Sequence, residues 1–519
     1  MLLILYFYFR ILFAQNHRNL SILLFFLVFT GLAEAVWGLL QLYGFTPSQH
    51  GLFKTTGSFF NPGPYAGYLA VVFPLAMWLR LWLRLRSATG TVTETTTGTP
   101  VVERSRNESI FGIVTCIAIL LVLPATMSRA AWLAAAAGSL VVVMSFFAER
   151  FKIFEAFRKF GVKAALISIA VIVLLSVAFA GMYRLKKDSA DGRALMWKVA
   201  LQTAKKHPFG VGLGNFPGAY GDAQAAYFAS GQASEAEESV AGSPEYGFNE
   251  YLQISIEWGI IPLVLFLCIM MGSLYIAYKR KLWGILASMI SLLVFAFFSY
   301  PFSVLPFLIV FVFLLAISGT ISTQMTQINR MNANEHLKSA AIRLICVICV
   351  LITAFCLYNR YPTYNAYKEW HSLRQPYQTK SYDRAKREYE QLYPQLNDQF
   401  RFLFEYGHLL SRPGDYEKSN QILQQASRIS GDPMIYNIMG KNYQALKEYR
   451  QAEACFIKST QIVPNRLYPF YLLTKLYREM GLQDKVIEMA DIVQTKEPKV
   501  QSTAVREMKE EAEQLTIDN

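Results

Sequence analysis

Nine stretches of this chain are apolar for long enough to cross a bilayer: about 20–43, 65–83, 110–127, 130–148, 163–183, 252–278, 283–299, 303–320 and 342–358. Hydrocarbon offers no partner to a backbone N–H or C=O, so runs of about 20 such residues must be helices. The opening 1–14 is apolar but short and has no small-residue cleavage site. It reads as a fragment of a span rather than a signal peptide, with further spans expected before it. At 53% hydrophobic over 519 residues, the chain is too apolar for a soluble domain and too polar for a bundle alone. The expected fold is all-α: a polytopic bundle of about 9–10 spans over residues 1–358, a connector at 359–395, and a soluble helical domain at 396–519.

Charge orients the bundle. Arg84, Arg86, Arg104 and Arg106 lie in one loop, and Arg150, Lys152, Arg158, Lys159 and Lys163 in a second. Lys279, Arg280 and Lys281 form a third basic junction, and Arg330 and Lys338 mark a fourth. Cytoplasmic loops concentrate Lys and Arg, so alternation puts 44–64, the turn at 127–131, a long polar loop at about 184–249 and everything after about 358 outside. The net charge of +13 is then mostly topology. Nucleic-acid binding needs a soluble basic face with stacking aromatics, and none is visible. Cys116, Cys268, Cys346, Cys349 and Cys356 fall in predicted spans and Cys455 in a helical repeat, so no disulfide framework is implied.

The tail repeats itself. Tyr436, Gly440, Tyr443, Ala452, Phe456 and Pro464 recur 34 residues later as Phe470, Thr474, Tyr477, Val486, Ala490 and Pro498. A weaker earlier copy holds Gly407, Leu410, Ser419 and Leu423. The period and the small-large alternation resemble tetratricopeptide repeats, an α-solenoid whose minimum stable stack is about three units. The charged stretch from Val500 reads as a capping helix.

Three outward-facing segments carry legible motifs. The first is Gly57-Ser58-Phe59-Phe60-Asn61-Pro62 with Tyr65-Ala66-Gly67-Tyr68-Leu69. The second is Ser128-Arg129-Ala130-Ala131-Trp132-Leu133-Ala134. The third pairs Arg193, Trp197 and Pro208 through Gly210-Val211-Gly212-Leu213-Gly214-Asn215-Phe216 with Asn249-Glu250-Tyr251-Leu252-Gln253, Glu257, Trp258 and Gly259. Together and in this order the three segments resemble the O-antigen ligase/polymerase family, over about 20–320 and with the tail outside the resemblance. It implies transfer of a glycan from undecaprenyl diphosphate at the periplasmic face of a bacterial inner membrane, with the tail in the periplasm. Ligation to lipid A-core is the leading reading. Polymerisation of repeat units and transfer to protein stay open, as does a non-catalytic lipid-glycan scaffold. One position departs from the family: a histidine implicated in catalysis often precedes the Asn-Glu pair, and here Phe248 stands there. His207 is another histidine of the same loop.

A diphosphate donor calls for fixed positive charge where the leaving group gathers negative charge. Arginine is charged at every working pH and grips phosphate bidentately, which favours Arg193 and Arg129. The bland alternatives are a surface charge for Arg193 and a hairpin-end residue for Arg129. Glu250 is the candidate general base, against a helix N-terminal carboxylate favoured by the dipole. Asn249, Asn61, Lys187 and Glu257 are assigned to substrate binding. Glu257 is expected to steady an arginine, while Asn61 has a turn-capping alternative. Lys187, with Arg184 and Lys186, draws in the diphosphate or meets lipid headgroups. Glu34, inside a span, needs a partner or a cavity. Gly210, Gly212 and Gly214 follow no strand and miss the dinucleotide spacing, so they read as a tight loop. No metal and no cofactor are expected. A transporter reading finds no inverted repeat. The tail is expected to recruit acceptor or protein partners, and an enzyme is expected to keep some activity without it.

Overall fold

The computed structural model describes residues 2–15, 17–88, 101–151, 187–320, 335–373, 382–498 and 501–517. Among them the fold is all-α, with no strand. The expected span at 163–183, most of the basic loop at 149–163, and Arg184 and Lys186 lie outside the described residues. Three described helices are long and apolar enough to cross a membrane: Ile22–Leu42, Arg129–Ala148 and Ile260–Lys279. Leu2–Phe13, Ile110–Thr126, Trp283–Phe298 and Leu305–Gly319 are apolar but shorter. Two of these short helices end in proline-led 3-10 turns, Pro124–Thr126 and Pro301–Ser303, where the missing N–H of proline interrupts the ladder.

The helices divide into two compact units, Met1–Leu185 with Phe248–Tyr251 and Val264–Thr353, and Lys186–Gly247 with Leu252–Leu263 and Ala354–Asn519. In the first unit the helix Pro62–Ala88 packs against Val101–Val122, Arg129–Phe151 and Trp283–Phe298. Small residues permit those crossings, as membrane interfaces require. A Cβ on Gly138 would sit 2.8 Å from Pro74 and 2.9 Å from the Ala287 carbonyl, and one on Gly67 would enter the Phe295 ring. Ser291 donates to the Ala70 carbonyl at 2.8 Å, pinning two of these helices.

The second unit shows that the long polar loop is a folded body. Lys187–Lys206, Phe216–Ala229 and Glu235–Val240 surround a core of Leu195, Val199, Phe216, Tyr220, Tyr227 and Ile256. The tail forms helix pairs: Phe400–Ser411 with Tyr416–Ile429, Pro433–Ala445 with Tyr449–Ile462, and Tyr468–Glu479 with Gln483–Thr495. Thr503–Ile517 packs on the last pair. Gly407 faces Leu423 and Gly440 faces Phe456, each with no room for a Cβ, so small residues set the close approach of paired helices.

Candidate functional site

Parts of both loop motifs, Pro208–Gly212 and Ile256–Ile260, fold onto each other in the second unit. The amides of Val211 and Gly212 donate to the carbonyls of Ile256 and Glu257 at 2.8 and 3.0 Å, and Ile260 N donates to Pro208 O at 2.9 Å. Gly210 and Gly259 have φ of 87° and 94°, which glycine adopts without the Cβ penalty. A Cβ on Gly210 would lie 2.6 Å from the Glu257 carbonyl, and one on Gly259 would lie 2.7 Å from the Phe209 carbonyl carbon. The glycine run therefore forms a tight loop.

Glu257 closes this loop from beneath. Its carboxylate is 7% exposed and accepts the backbone N–H groups of Gly214 and Phe216, with Gln253 Nε2 at 3.5 Å. Gly214 and Phe216 flank the start of Phe216–Ala229, whose own N-cap Asn215 makes no side-chain capping bond. Glu257 thus serves as a cap supplied from another helix, placed where the dipole favours an anion. Burial pushes its carboxyl above the usual range, while the Gly214, Phe216 and Gln253 donors pull it down. Glu257 was expected to steady an arginine; its carboxylate partners are these backbone amides and Gln253.

Arg193 lies on Lys187–Lys206, half-buried, two residues before the core residue Leu195. Lys187 opens that helix, and its side chain is outside the described residues. Further along the same helix, Lys198 meets Tyr227 OH at 2.6 Å and Glu237 Oε1 at 2.8 Å, and Tyr227 OH donates to Glu237 Oε2 at 2.8 Å. Ser234 and Glu237 complete a capping box on Glu235–Val240. Burial opposes the charge on Glu237, but hydrogen bonds from Lys198, Ser234 and Tyr227 outweigh it and hold the carboxyl down to about 2. Because this value lies below the ordinary 4.5, the stabilisation is full above about pH 4.5 and is lost as the pH falls toward 2. Hydrogen exchange at 227–240 should accelerate across that window, and Glu237→Gln should make exchange there fast already at neutral pH. A Glu237→Gln profile matching wild type at every pH would refute this clasp.

The tail is fastened to the loop inside the same unit. Gln224 Nε2 donates to the Ile462 carbonyl and, at 2.8 Å, to that of Gly242. Ser243 Oγ donates to Gly431 O at 3.0 Å. Asn465 Nδ2 reaches the carbonyls of Glu238, Ser239 and Ala241 at 3.0, 3.2 and 2.9 Å, around the C-terminus of Glu235–Val240. Backbones touch directly: a Cβ on Gly221 would lie 2.6 Å from Gly431 Cα, and one on Gly218 would strike the Arg428 carbonyl. Sequence reading missed this seam. Its donors, Gln224 and Asn465, sit in no repeat or motif.

In the first unit, Glu250 is 3% exposed and accepts from Phe302 N at 2.6 Å, tying the start of Glu250–Glu257 to the turn at Pro301–Ser303. Asn249 beside it is buried. Phe248 has a φ of 45° and its ring stands edge-on to Tyr300 at 5.1 Å. That left-handed backbone is one that Asn, Asp and His populate more readily than Phe. Asn61 Oδ1 accepts from Gly63 N at 3.0 Å, the N-cap of Pro62–Ala88. Glu34 accepts from Ser58 N at 3.0 Å and Ser58 Oγ at 2.6 Å, so its partner is the Gly57–Pro62 segment. Gln41 Oε1 takes the N–H groups of Thr56 and Gly57, both at 2.8 Å. Arg129 is the first residue of Arg129–Phe151. A cation there opposes the helix dipole at a cost of about 0.3–1 kcal/mol, and together with the helix N–H groups it attracts an anion.

Residues 114–267 match the family model for O-antigen ligase. Residues 367–429 match the model for YpiA-like C-terminal tetratricopeptide repeats. No curated protein matches the chain. The first match contains the Ser128–Ala134 turn and both motifs of the polar loop, and the second begins ahead of the first helix pair of the tail.

Proposed function

Given a membrane protein whose residues 114–267 are similar to O-antigen ligase and whose tail carries tetratricopeptide repeats, we propose that it transfers a glycan from undecaprenyl diphosphate to an acceptor hydroxyl. The reaction runs at the periplasmic face of a bacterial inner membrane, with the tail on that side, and the leading acceptor is lipid A-core. The observation that carries this reading is the interlocked pair of loop motifs, stapled by Glu257 inside the matched segment. Arg193 and Arg129 hold the diphosphate and take up charge as it leaves. Asn249, Asn61 and Lys187 contribute to binding, Asn61 also through the turn it caps. Glu250 assists the acceptor hydroxyl. Its carboxylate is buried and fixed by Phe302 N, which gives a base a defined direction. No metal or cofactor is invoked.

Phe248 favours one rival. With an apolar ring against Tyr300 where the family often has a histidine, a non-catalytic glycan-binding scaffold is the second reading. A deletion strain complemented with wild type or Arg193→Ala separates the two by its glycan profile. An enzyme should lose transfer by about 10²–10³-fold, the usual effect of removing one charge-stabilising group. Long glycan stranded on the carrier means ligation, and cores capped by a single repeat mean polymerisation. A wild-type profile from Arg193→Ala puts the scaffold ahead.

A further inference from the structure

A cleft of about 920 Å3 lies within the second unit. One wall is the Leu213–Asn215 end of the glycine loop with Ser243–Tyr246, and the other is Tyr367, Trp370 and His371 with Asp398–Arg401 of the tail. Its size falls within the ~300–1,000 Å3 usual for small-ligand sites. The lining combines aromatic rings with polar groups of both hydrogen-bonding senses. Trp370 and Tyr367 have ring centroids 5.9 Å apart and planes tilted by 48°. Trp370 is locked by donating Nε1 to Glu405 at 2.8 Å, and the same carboxylate takes Tyr389 OH at 2.8 Å. Across the two walls, Arg401 and Glu245 stand 3.6 Å apart, both largely exposed.

Charge and polarity narrow the occupant. Two carboxylates, Glu245 and Asp398, face one guanidinium, Arg401, so the cleft does not favour a diphosphate. An acyl chain would press hydrocarbon against the His371 imidazole and the Asp398 carboxylate, which costs free energy on desolvation. A pyranose ring satisfies both kinds of wall. Its hydroxyls pair with mixed donors and acceptors, and its C–H face lies on the negative face of an aromatic ring.

We infer that this cleft binds a neutral stretch of oligosaccharide, at sugars removed from the diphosphate. The inference rests on the transferase reading for why a glycan is present, and it assigns the tail a direct share in holding it. The shared wall matters: Gly214, whose N–H is held by Glu257, also lines the cleft.

The test uses full-length protein in nanodiscs, titrated with oligosaccharide released by mild acid from the host's own lipid-linked glycan. Tyr367→Ala and Asp398→Ala should each weaken binding tenfold or more, Tyr367→Phe should keep most of it, and Asp222→Asn, in a surface ion pair outside the cleft, should leave it unchanged. Undecaprenyl diphosphate binding should survive both cleft variants. Unaltered sugar binding in Tyr367→Ala and Asp398→Ala overturns the inference, as does the absence of binding by wild type, whether or not transfer is seen. Sugar binding lost in the cleft variants of a protein that shows no transfer leaves the cleft standing and removes the transferase reading instead.

Discussion

Gly218→Val and Gly221→Val, single changes on the loop helix Phe216–Ala229, are expected to detach the C-terminal repeats from the loop. The atoms a new side chain meets are backbone: the Arg428 carbonyl at Gly218, and Gly431 Cα at 2.6 Å from a Cβ on Gly221. A flexible side-chain tip could swing aside, but two main chains must separate. Separation breaks the seam as a whole, because Gln224 to Ile462, Ser243 to Gly431 and Asn465 to three carbonyls all depend on the same approach. At about 1 kcal/mol for each neutral bond, the loss comes to roughly 3–5 kcal/mol. The ion pair of Lys458 with Asp222, 2.9 Å apart but on the surface, adds little, so Asp222→Asn is the mild control. In detergent, the glycine variants should melt in two steps and release a tail fragment on limited proteolysis. The tail should stay folded, since its helix pairs have their own cores around Phe402 and Leu472. Transfer should fall but not vanish with the seam, in keeping with the expectation that an enzyme keeps some activity without its tail. A Gly221→Val protein with a single wild-type transition and full transfer would show the seam to be dispensable.

What the sequence made legible was local. The tetratricopeptide period could be read because Gly407 under Leu423 and Gly440 under Phe456 are short-range, repeated demands on side-chain size. The tight loop at Gly210 could be read because a left-handed backbone leaves a glycine behind. Arg193 and Arg129 stand out by residue type, but the chemistry assigned to them comes from the resemblance. The partners were not legible. Glu34 sits in a span, and nothing near it in sequence points to Ser58, 24 residues on. Asn61 looked like a ligand and also serves as a helix cap, because an Asn before Pro-Gly suits either role. Gln224 finds its carbonyl 238 residues away, where no periodicity operates. Long-range polar contacts leave no pattern because one donor and one carbonyl suffice, and every residue carries a carbonyl.

Glu257 should prove the most sensitive residue of the loop motifs. Glu257→Ala deletes a buried acceptor and leaves the N–H of the buried Phe216 without its partner, while the N–H of the exposed Gly214 can turn to solvent. Leaving that one buried donor unsatisfied costs about 1–3 kcal/mol, and Glu257→Gln, which keeps the shape and one acceptor oxygen, should lose about half of that. Hydrogen exchange at 210–218 reads the effect directly, and transfer should fall in the same order. The pH dependence runs opposite to that of Glu237. Burial raises the Glu257 carboxyl above the ordinary range, so its contribution is full below that range and declines as the pH climbs through the raised value. Glu257→Gln should abolish that decline while leaving the acid limb from Glu237 in place. If Glu257→Ala exchanges at 210–218 like wild type, the carboxylate is not the staple, and the loop must owe its shape to the Val211 and Gly212 backbone bonds alone.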